Sequence, residues 1–335
     1  MPPKKKITAA DVAYEEKVAR AREALAKAEQ TYGSEHLVVA NALNNLAARL
    51  RMMNWDAPCE ERRDLASETK WNEEAEQLYR RALAIDEKLY GPEDFHVAVR
   101  LSNLALILRE MRRFEEAEEM CRRALAVDEK AFGLAHPSVW AKTVDFAELL
   151  TEMNRKDEAE SLYRRTIAAH EKIRGTDSLG IVSIITNLAM LLEDMNRKEE
   201  AESAYRHALC IYEKSDEAKQ PRFATMLTNF AGLLRGMNRM EEAESMYWRV
   251  LLLYEKSEDE LAIGATLHNL SNLLSATEHF LEAEPICRRA LFILEKHFGS
   301  AHPGVKAARE QLVFLEEQNS NLPSPNDNSV DRGLS

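Results

Sequence analysis

The sequence predicts an all-α solenoid built from antiparallel helix pairs, and three observations predict it. A Glu-Ala-Glu block recurs with its alanine at Ala75, Ala117, Ala159, Ala201, Ala243 and Ala283, a spacing of 42 residues four times and then 40. A second marker, Leu46, Leu104, Phe146, Leu188, Phe230 and Leu270, is each time followed by Ala or Ser; its intervals are 58, 42, 42, 42 and 40, the first being one period plus 16 residues. Glycine (11) and proline (10) are sparse in 335 residues, and no alternating Val/Ile/Thr runs bounded by turn residues occur, so strand content should be near zero. A unit repeating at this period cannot bury its apolar face alone and must stack on its neighbours. With 45% apolar residues, the core should be a thin seam along one elongated domain and not two globules.

Residues 1–10 are expected to be a disordered end, with Lys4, Lys5 and Lys6 a solvated run; a targeting or anionic-surface patch is the alternative. Residues 11–33 read as a lone second helix that caps the array, because Arg22-Glu23-Ala24-Leu25 and Thr31-Tyr32-Gly33 echo Arg81-Ala82-Leu83 and Leu89-Tyr90-Gly91. Six repeats follow over about 35–299. In the first helix of each, apolar residues fall at i, i+3, i+4, i+7 and i+10, one face of an α-helix: Leu43, Leu46, Ala47, Leu50 and Met53 in the first repeat, Leu227, Phe230, Ala231, Leu234 and Met237 in the fifth. The methionines read as core filler. Asn54, Asn154, Asn196 and Asn238 tolerate the left-handed conformation and should end these helices.

The 16 extra residues form an insertion at about 55–72, with Trp55, Pro58, Cys59 and Trp71, expected to project as a loop from the inter-helix turn; it reads either as a tolerated surface insertion or as a second binding element. The second helix carries Ala75, Tyr79, Ala82 and Ile85 on one face and their equivalents later, and Gly91, Gly133, Gly175 and Gly299 should terminate it. On its outer face Glu76 and Arg80, Glu118 and Arg122, Glu160 and Arg164, Glu202 and Arg206, and Glu284 and Arg288 stand as i,i+4 pairs, each worth about 0.2–0.5 kcal/mol. Residues 302–317 read as a lone first helix capping the far end, and 318–335 as a disordered tail.

Composition bounds the function. A net charge of −12 repels a polyphosphate, so nucleic acid is not an expected partner. No run of 18 apolar residues occurs and MPPKKKITAADVAYEEKV lacks a signal peptide's apolar segment, so no membrane insertion and a cytoplasmic location are expected. The four cysteines, Cys59, Cys121, Cys210 and Cys287, have no C-x-x-C spacing and should be reduced thiols; Cys121 and Cys287 occupy the slot of Tyr79, Tyr163, Tyr205 and Tyr247 and should be buried.

Phrases such as Asn44-Asn45-Leu46-Ala47 and Tyr79-Arg80-Arg81-Ala82-Leu83, at a 42-residue period, resemble the tetratricopeptide repeat, in the longer variety found in kinesin light chains and many bacterial repeat proteins. The resemblance covers about 35–317. It implies a right-handed superhelix whose first helices line a concave groove, and it implies protein partners. Two features depart from it: only about 30 residues stand where kinesin light chains carry a long coiled coil, and the usual inter-helix Gly is replaced by Asn, Arg112 or Glu278.

Beside the buried stripe of each first helix runs a second line at i, i+4, i+7 and i+11. It reads Asn41, Asn45, Ala48, Met52 in the first repeat and Thr225, Asn229, Gly232, Gly236 in the fifth. By the resemblance this line faces the groove. Asn recurs in it at 45, 103, 187, 229 and 269, and an amide can donate to and accept from an extended peptide at once; the alternative is that these amides bridge neighbouring repeats. Asp145, Glu148, Glu152 and Asp194 would favour a basic ligand segment, and Arg51, Arg109 and Arg235 could meet acidic groups at the flanks. The candidate partner-binding residues are Asn41, Asn45, Asn103, Arg109, Asp145, Glu148, Asn187, Asn229, Asn269 and Asn272. No cofactor or metal site is expected: Gly-rich phosphate loops, G-x-S-x-G and H-E-x-x-H are missing, and His36, His96, His136 and His302 read as structural. The expected function is a non-enzymatic scaffold binding a peptide or partner domain in the groove; the alternative is a sensor that closes around a small ligand and changes partner binding. A hydrolase using Asp145, Glu148 and Asp194 is the remaining reading.

Overall fold

The computed structural model describes residues 9–55, 65–175, 179–214 and 223–321, and among them there is no strand. The contacts group into two units, 1–176 and 177–335. The first unit holds α1 (Ala9–Tyr32), α2 (Leu37–Trp55), α3 (Leu65–Tyr90), α4 (Phe95–Glu110), α5 (Phe114–Phe132), α6 (Pro137–Glu152) and α7 (Lys156–Arg174). The second opens with a 3-10 turn, Leu179–Ile181, and holds α8 (Val182–Asp194), α9 (Lys198–Glu213), α10 (Ala224–Gly236), α11 (Met240–Ser257), α12 (Glu260–Ala276), α13 (Phe280–Phe298) and α14 (Pro303–Ser320). Within each unit every helix packs on the next, and first helices also touch, α4 on α6, α8 on α10 and α12 on α14. Each unit is thus an all-α stack of helix pairs, as the period requires.

The apolar stripes are the core. Leu43, Leu46, Ala47 and Leu50 are buried in α2, and Leu227, Phe230, Ala231 and Leu234 in α10. Ala75, Ala117, Ala159, Ala201, Ala243 and Ala283 are all fully enclosed, which lets the paired helices approach closely. Cys121 and Cys287 are buried free thiols; Cys210 is exposed. The methionines at 111, 153, 195 and 237 are half-buried and sit at the C-caps of their first helices instead of deep in the seam.

The turn between first and second helix uses two residues. Arg112, Asn154, Asn196, Asn238 and Glu278 all have φ between 57° and 62°, the left-handed region. The amide of the following residue reaches back to Leu108, Leu150, Leu192, Leu234 or Leu274, closing a Schellman cap. The residue after the left-handed one, Arg113 in the first case, is already the N-cap of the next helix. The return turn is set by glycine. Gly133 (φ 77°, ψ 161°), Gly175 (83°, 165°) and Gly299 (76°, 164°) occupy backbone space open essentially to glycine alone.

The histidines cap helices. Nδ1 of His36, His136 and His302 accepts a bond from the amide two residues on, at 3.2, 3.1 and 3.1 Å, and their rings stack on Tyr32, Phe132 and Phe298. In the second repeat Asp94 takes the capping role and His96 stacks on Tyr90. Such caps are worth about 1 kcal/mol each.

The expected loop at 55–72 is corrected in part. Helix α2 runs through Asn54 to Trp55, so Asn54 does not end it, and residues 65–72 are the opening turns of α3, which has 26 residues. Residues 56–64, with Pro58 and Cys59, lie outside the described residues, as do 1–8 with Lys4–Lys6 and 322–335. At the ends α1 begins at Ala9 and α14 continues to Ser320, so 318–320 are helix and not tail.

Two outcomes are expected. Gly133→Ala should lower stability by about 1–3 kcal/mol because alanine is strained at this φ and ψ, although its Cβ would meet nothing within 4 Å; thermal unfolding reads the loss. His170 is buried edge-on against Trp140, and neither ring nitrogen has a hydrogen-bond partner among the described residues. Burial, and then Arg174, hold its pKa below the ordinary value of 6.5. The folded state keeps it neutral, so this stability is present above 6.5 and is lost as the pH falls through the lower folded pKa. His170→Phe should flatten the acid limb of stability against pH in urea titrations between about pH 7 and 5; an unchanged slope would show that the ring does not control it.

Candidate partner-binding face

In the first unit the predicted line runs along α2, α4 and α6, and much of it is used between repeats. Asn103 donates from Nδ2 to Oδ1 of Asn44 at 2.7 Å. Asn41 accepts from Arg100 at 2.6 Å, and the same guanidinium bonds Asp86 at 2.7 Å, where both charged side chains are buried. Arg51 bridges to Glu110 at 2.8 Å. Arg109 reaches Glu148 at 2.9 Å and Glu152 at 2.6 Å; burial works against its charge, and the bonds to Glu152 and Glu148 outweigh it and raise its pKa. Two of the three carboxylates expected to attract a basic ligand here are therefore held by a cation of this chain. The third, Asp145, is exposed, yet the protein around its carboxyl and then the Glu148 charge push its pKa up. Asn45 is exposed and makes no hydrogen bond among the described residues.

In the second unit the line runs along α8, α10 and α12. Asn187 and Asn269 are half-buried and likewise carry no such bond among the described residues. Asn272 pairs with His268 of its own helix at 3.2 Å, and Asn229 points Nδ2 at Sδ of Met190, also at 3.2 Å. Next to Asn229 lies an open hollow of about 430 Å³, lined by Met190, Glu193, Asp194, Tyr205, Thr228, Asn229 and Gly232.

On the second helices the i,i+4 pairs stand as expected, for instance Arg80 with Glu76 at 2.8 Å and Arg164 with Glu160 at 2.8 Å. Sequence reasoning missed their neighbours. After three of the inter-helix turns an arginine forks onto the glutamate three residues on and also reaches the preceding repeat: Arg113 to Glu116 and Glu76, Arg155 to Glu158 and Glu118, Arg239 to Glu242 and Glu202. The second arginine of each Arg-Arg, or its equivalent, does the same, Arg81 to Glu29, Arg123 to Glu87 and Arg249 to Glu213. The signal was an arginine at one fixed offset before the Glu-Ala-Glu blocks of Ala117, Ala159, Ala201 and Ala243.

A family model described as the tetratricopeptide repeat matches residues 69–137, 141–214 and 222–311. The chain belongs to the tetratricopeptide repeat family. Among solved structures, this tetratricopeptide chain is similar to BtubC (BKLC) from P. vanneervenii, at 18% identity over 74% of this chain and 93% of that one, with a TM-score of 0.57. It is also similar to a putative kinesin light chain with nearly identical TPR-like repeats from Podosopora anserina, at 20% identity over 60% and 88% of the two chains, TM-score 0.50. Aspartyl phosphate phosphatase F from Bacillus subtilis aligns over 92% of this chain and 80% of its own at 10% identity, TM-score 0.53. At these identities the likeness is one of fold. No curated protein matches the chain. Among the described residues no helix is long and apolar enough to cross a membrane, and no group of three or more His, Cys, Asp or Glu could hold a metal ion.

Arg100 is the inter-repeat contact that stability should feel most. Arg100→Leu strands the Asp86 charge in the seam and is expected to cost about 3–5 kcal/mol, whereas an exposed pair such as Lys88 with Glu35 should cost no more than about 1 kcal/mol when broken; urea unfolding compares them.

Proposed function

We propose that this tetratricopeptide chain is a non-enzymatic interaction scaffold that holds an extended peptide or a partner domain along the polar line of its first helices. The observation that carries the reading is the division among the amides. Asn41 and Asn103 serve the fold, while Asn45, Asn187 and Asn269 stand on the same line with hydrogen-bonding capacity to spare. An amide so placed can donate to a ligand carbonyl and accept from a ligand amide together, which suits backbone recognition without regard to side chain. The reading as a scaffold and not a hydrolase is supported by Arg109, which ties up Glu148 and Glu152 on an open face where acidities are hard to tune. A cytoplasmic setting belongs to the same reading and fits the buried thiols of Cys121 and Cys287. A second reading, a regulator that closes around a small ligand, draws on the hollow beside Asn229; a ligand-induced gain in compactness by small-angle scattering would favour it.

The test is comparative capture from host extract with quantitative mass spectrometry, using the wild type and an Asn45→Ala, Asn187→Ala, Asn269→Ala variant. The variant should melt as the wild type does and lose its partners by about tenfold or more. Partners retained in full by the folded variant would remove the polar line as the binding site.

A further inference from the structure

The hollow between α8, α9 and α10 differs from the same place in the first repeat in a way that points to a ligand. In the first repeat burial raises the pKa of the Tyr79 hydroxyl and the positive Arg51 guanidinium works against that rise, while Glu110 of the next repeat bonds Arg51. In the fourth repeat the tyrosine is kept as Tyr205, fully buried, and stacked on Phe230 at 5.4 Å. The arginine is not kept; its position is Glu193. The Tyr205 hydroxyl has no hydrogen-bond partner among the described residues and lies within the field of the Glu193 carboxylate. Burial raises the pKa of Glu193, and Lys198 offsets this only in part, its Nζ lying 3.3 Å from the Gly236 carbonyl.

The wall of the hollow gives a second sign. Position 232 on α10, which lines it, is glycine, where other repeats carry Leu106 or Glu148. Glycine inside a helix is unfavourable by roughly 0.5–1 kcal/mol against alanine, so it needs a reason. Packing does not provide one, because a Cβ at Gly232 would meet nothing within 4 Å. What Gly232 does is leave the space beside Tyr205 and Asn229 open.

We propose that this hollow receives one basic side chain, a lysine ammonium or an arginine guanidinium, of a peptide bound along the first helices. The incoming cation takes the place that Arg51 fills in the first repeat. It donates to the Tyr205 hydroxyl and to Glu193, lies against the soft face of Met190, and meets the carboxylate of Asp194 on the same wall. The inference rests on the scaffold reading, and it narrows the partner to one with a basic residue at a fixed place in the bound segment.

A random peptide library displayed on phage and selected on the full chain tests it. Wild type should enrich peptides with Lys or Arg at one position, and replacing that residue by Ala in a selected peptide should weaken binding about tenfold or more. Two variants should lose the preference: Glu193→Arg, which restores the arrangement of the first repeat, and Gly232→Met, which fills the hollow with the side chain that α8 carries at Met190. Both should fold with a melting temperature no lower than the wild type, so failure to fold does not confound the result. No basic preference in the wild type, or the same preference in both variants, overturns the inference. Competition by free arginine amide as strongly as by the peptide would overturn it too, assigning the hollow to a small cation. Partner capture that falls in the Asn45, Asn187, Asn269 variant but not in Gly232→Met leaves the scaffold reading standing and removes the hollow from it.

Discussion

A helix pair of this sequence has an apolar face on both sides, and neither can be left in water. The first helix presents Leu104 and Leu108 inward, and the second presents Tyr79 and Ala82 to the same seam, so burial of one repeat is completed only by the next. At about 25 cal/mol per Å² of apolar surface this shared burial is the main favourable term, and it is lost wherever a neighbour is missing. The lone helices α1 and α14 follow from that constraint. Each covers an end face, with Val18 and Ala28 on one and Val305, Ala308 and Leu315 on the other.

Apolar stacking fixes distance but is indifferent to sliding, and the polar contacts supply the register. The buried Arg100 and Asp86 pair, with Lys142 and Asp128 in the next repeat at 3.2 Å, can be satisfied at one alignment of the helices only. The arginines at the turns do the same on the outer surface. Each such exposed bridge contributes little by itself, yet the forked geometry recurs at Arg113, Arg155 and Arg239, and ion-pair networks of this kind weigh more as temperature rises.

What could be read from the sequence was what is local. The stripes at i, i+3 and i+4, the left-handed turn residues and the terminal glycines all express their structure within one helix or turn, and α4 to α13 lie where those signals put them. The opening of α3 was not legible. Residues 65–72 have no stripe of their own, but a helix already nucleated at Asn72 and Ala75 extends backward at small cost. The polar line was legible as a line, though not the use of each member, because the partners lie far apart in the chain: Asn44 and Asn103 are separated by 59 residues, as are Asn41 and Arg100. The hollow was hidden for the same reason. Gly232 is plain in the sequence, but nothing there tells that the Tyr205 hydroxyl ends without a partner among the described residues.

Arg113, Arg155 and Arg239 each bind one glutamate 37 residues behind and another three ahead. Both offsets fall inside one repeat period. An array that gains or loses a whole 42-residue copy by genetic duplication or deletion therefore presents matching edges at the new junction, with no charge orphaned and no second mutation required. The chain length of such a protein is free to drift in steps of one repeat, while an insertion of any other size is accommodated where that arginine is not, as in the first repeat, where the 16 extra residues are found.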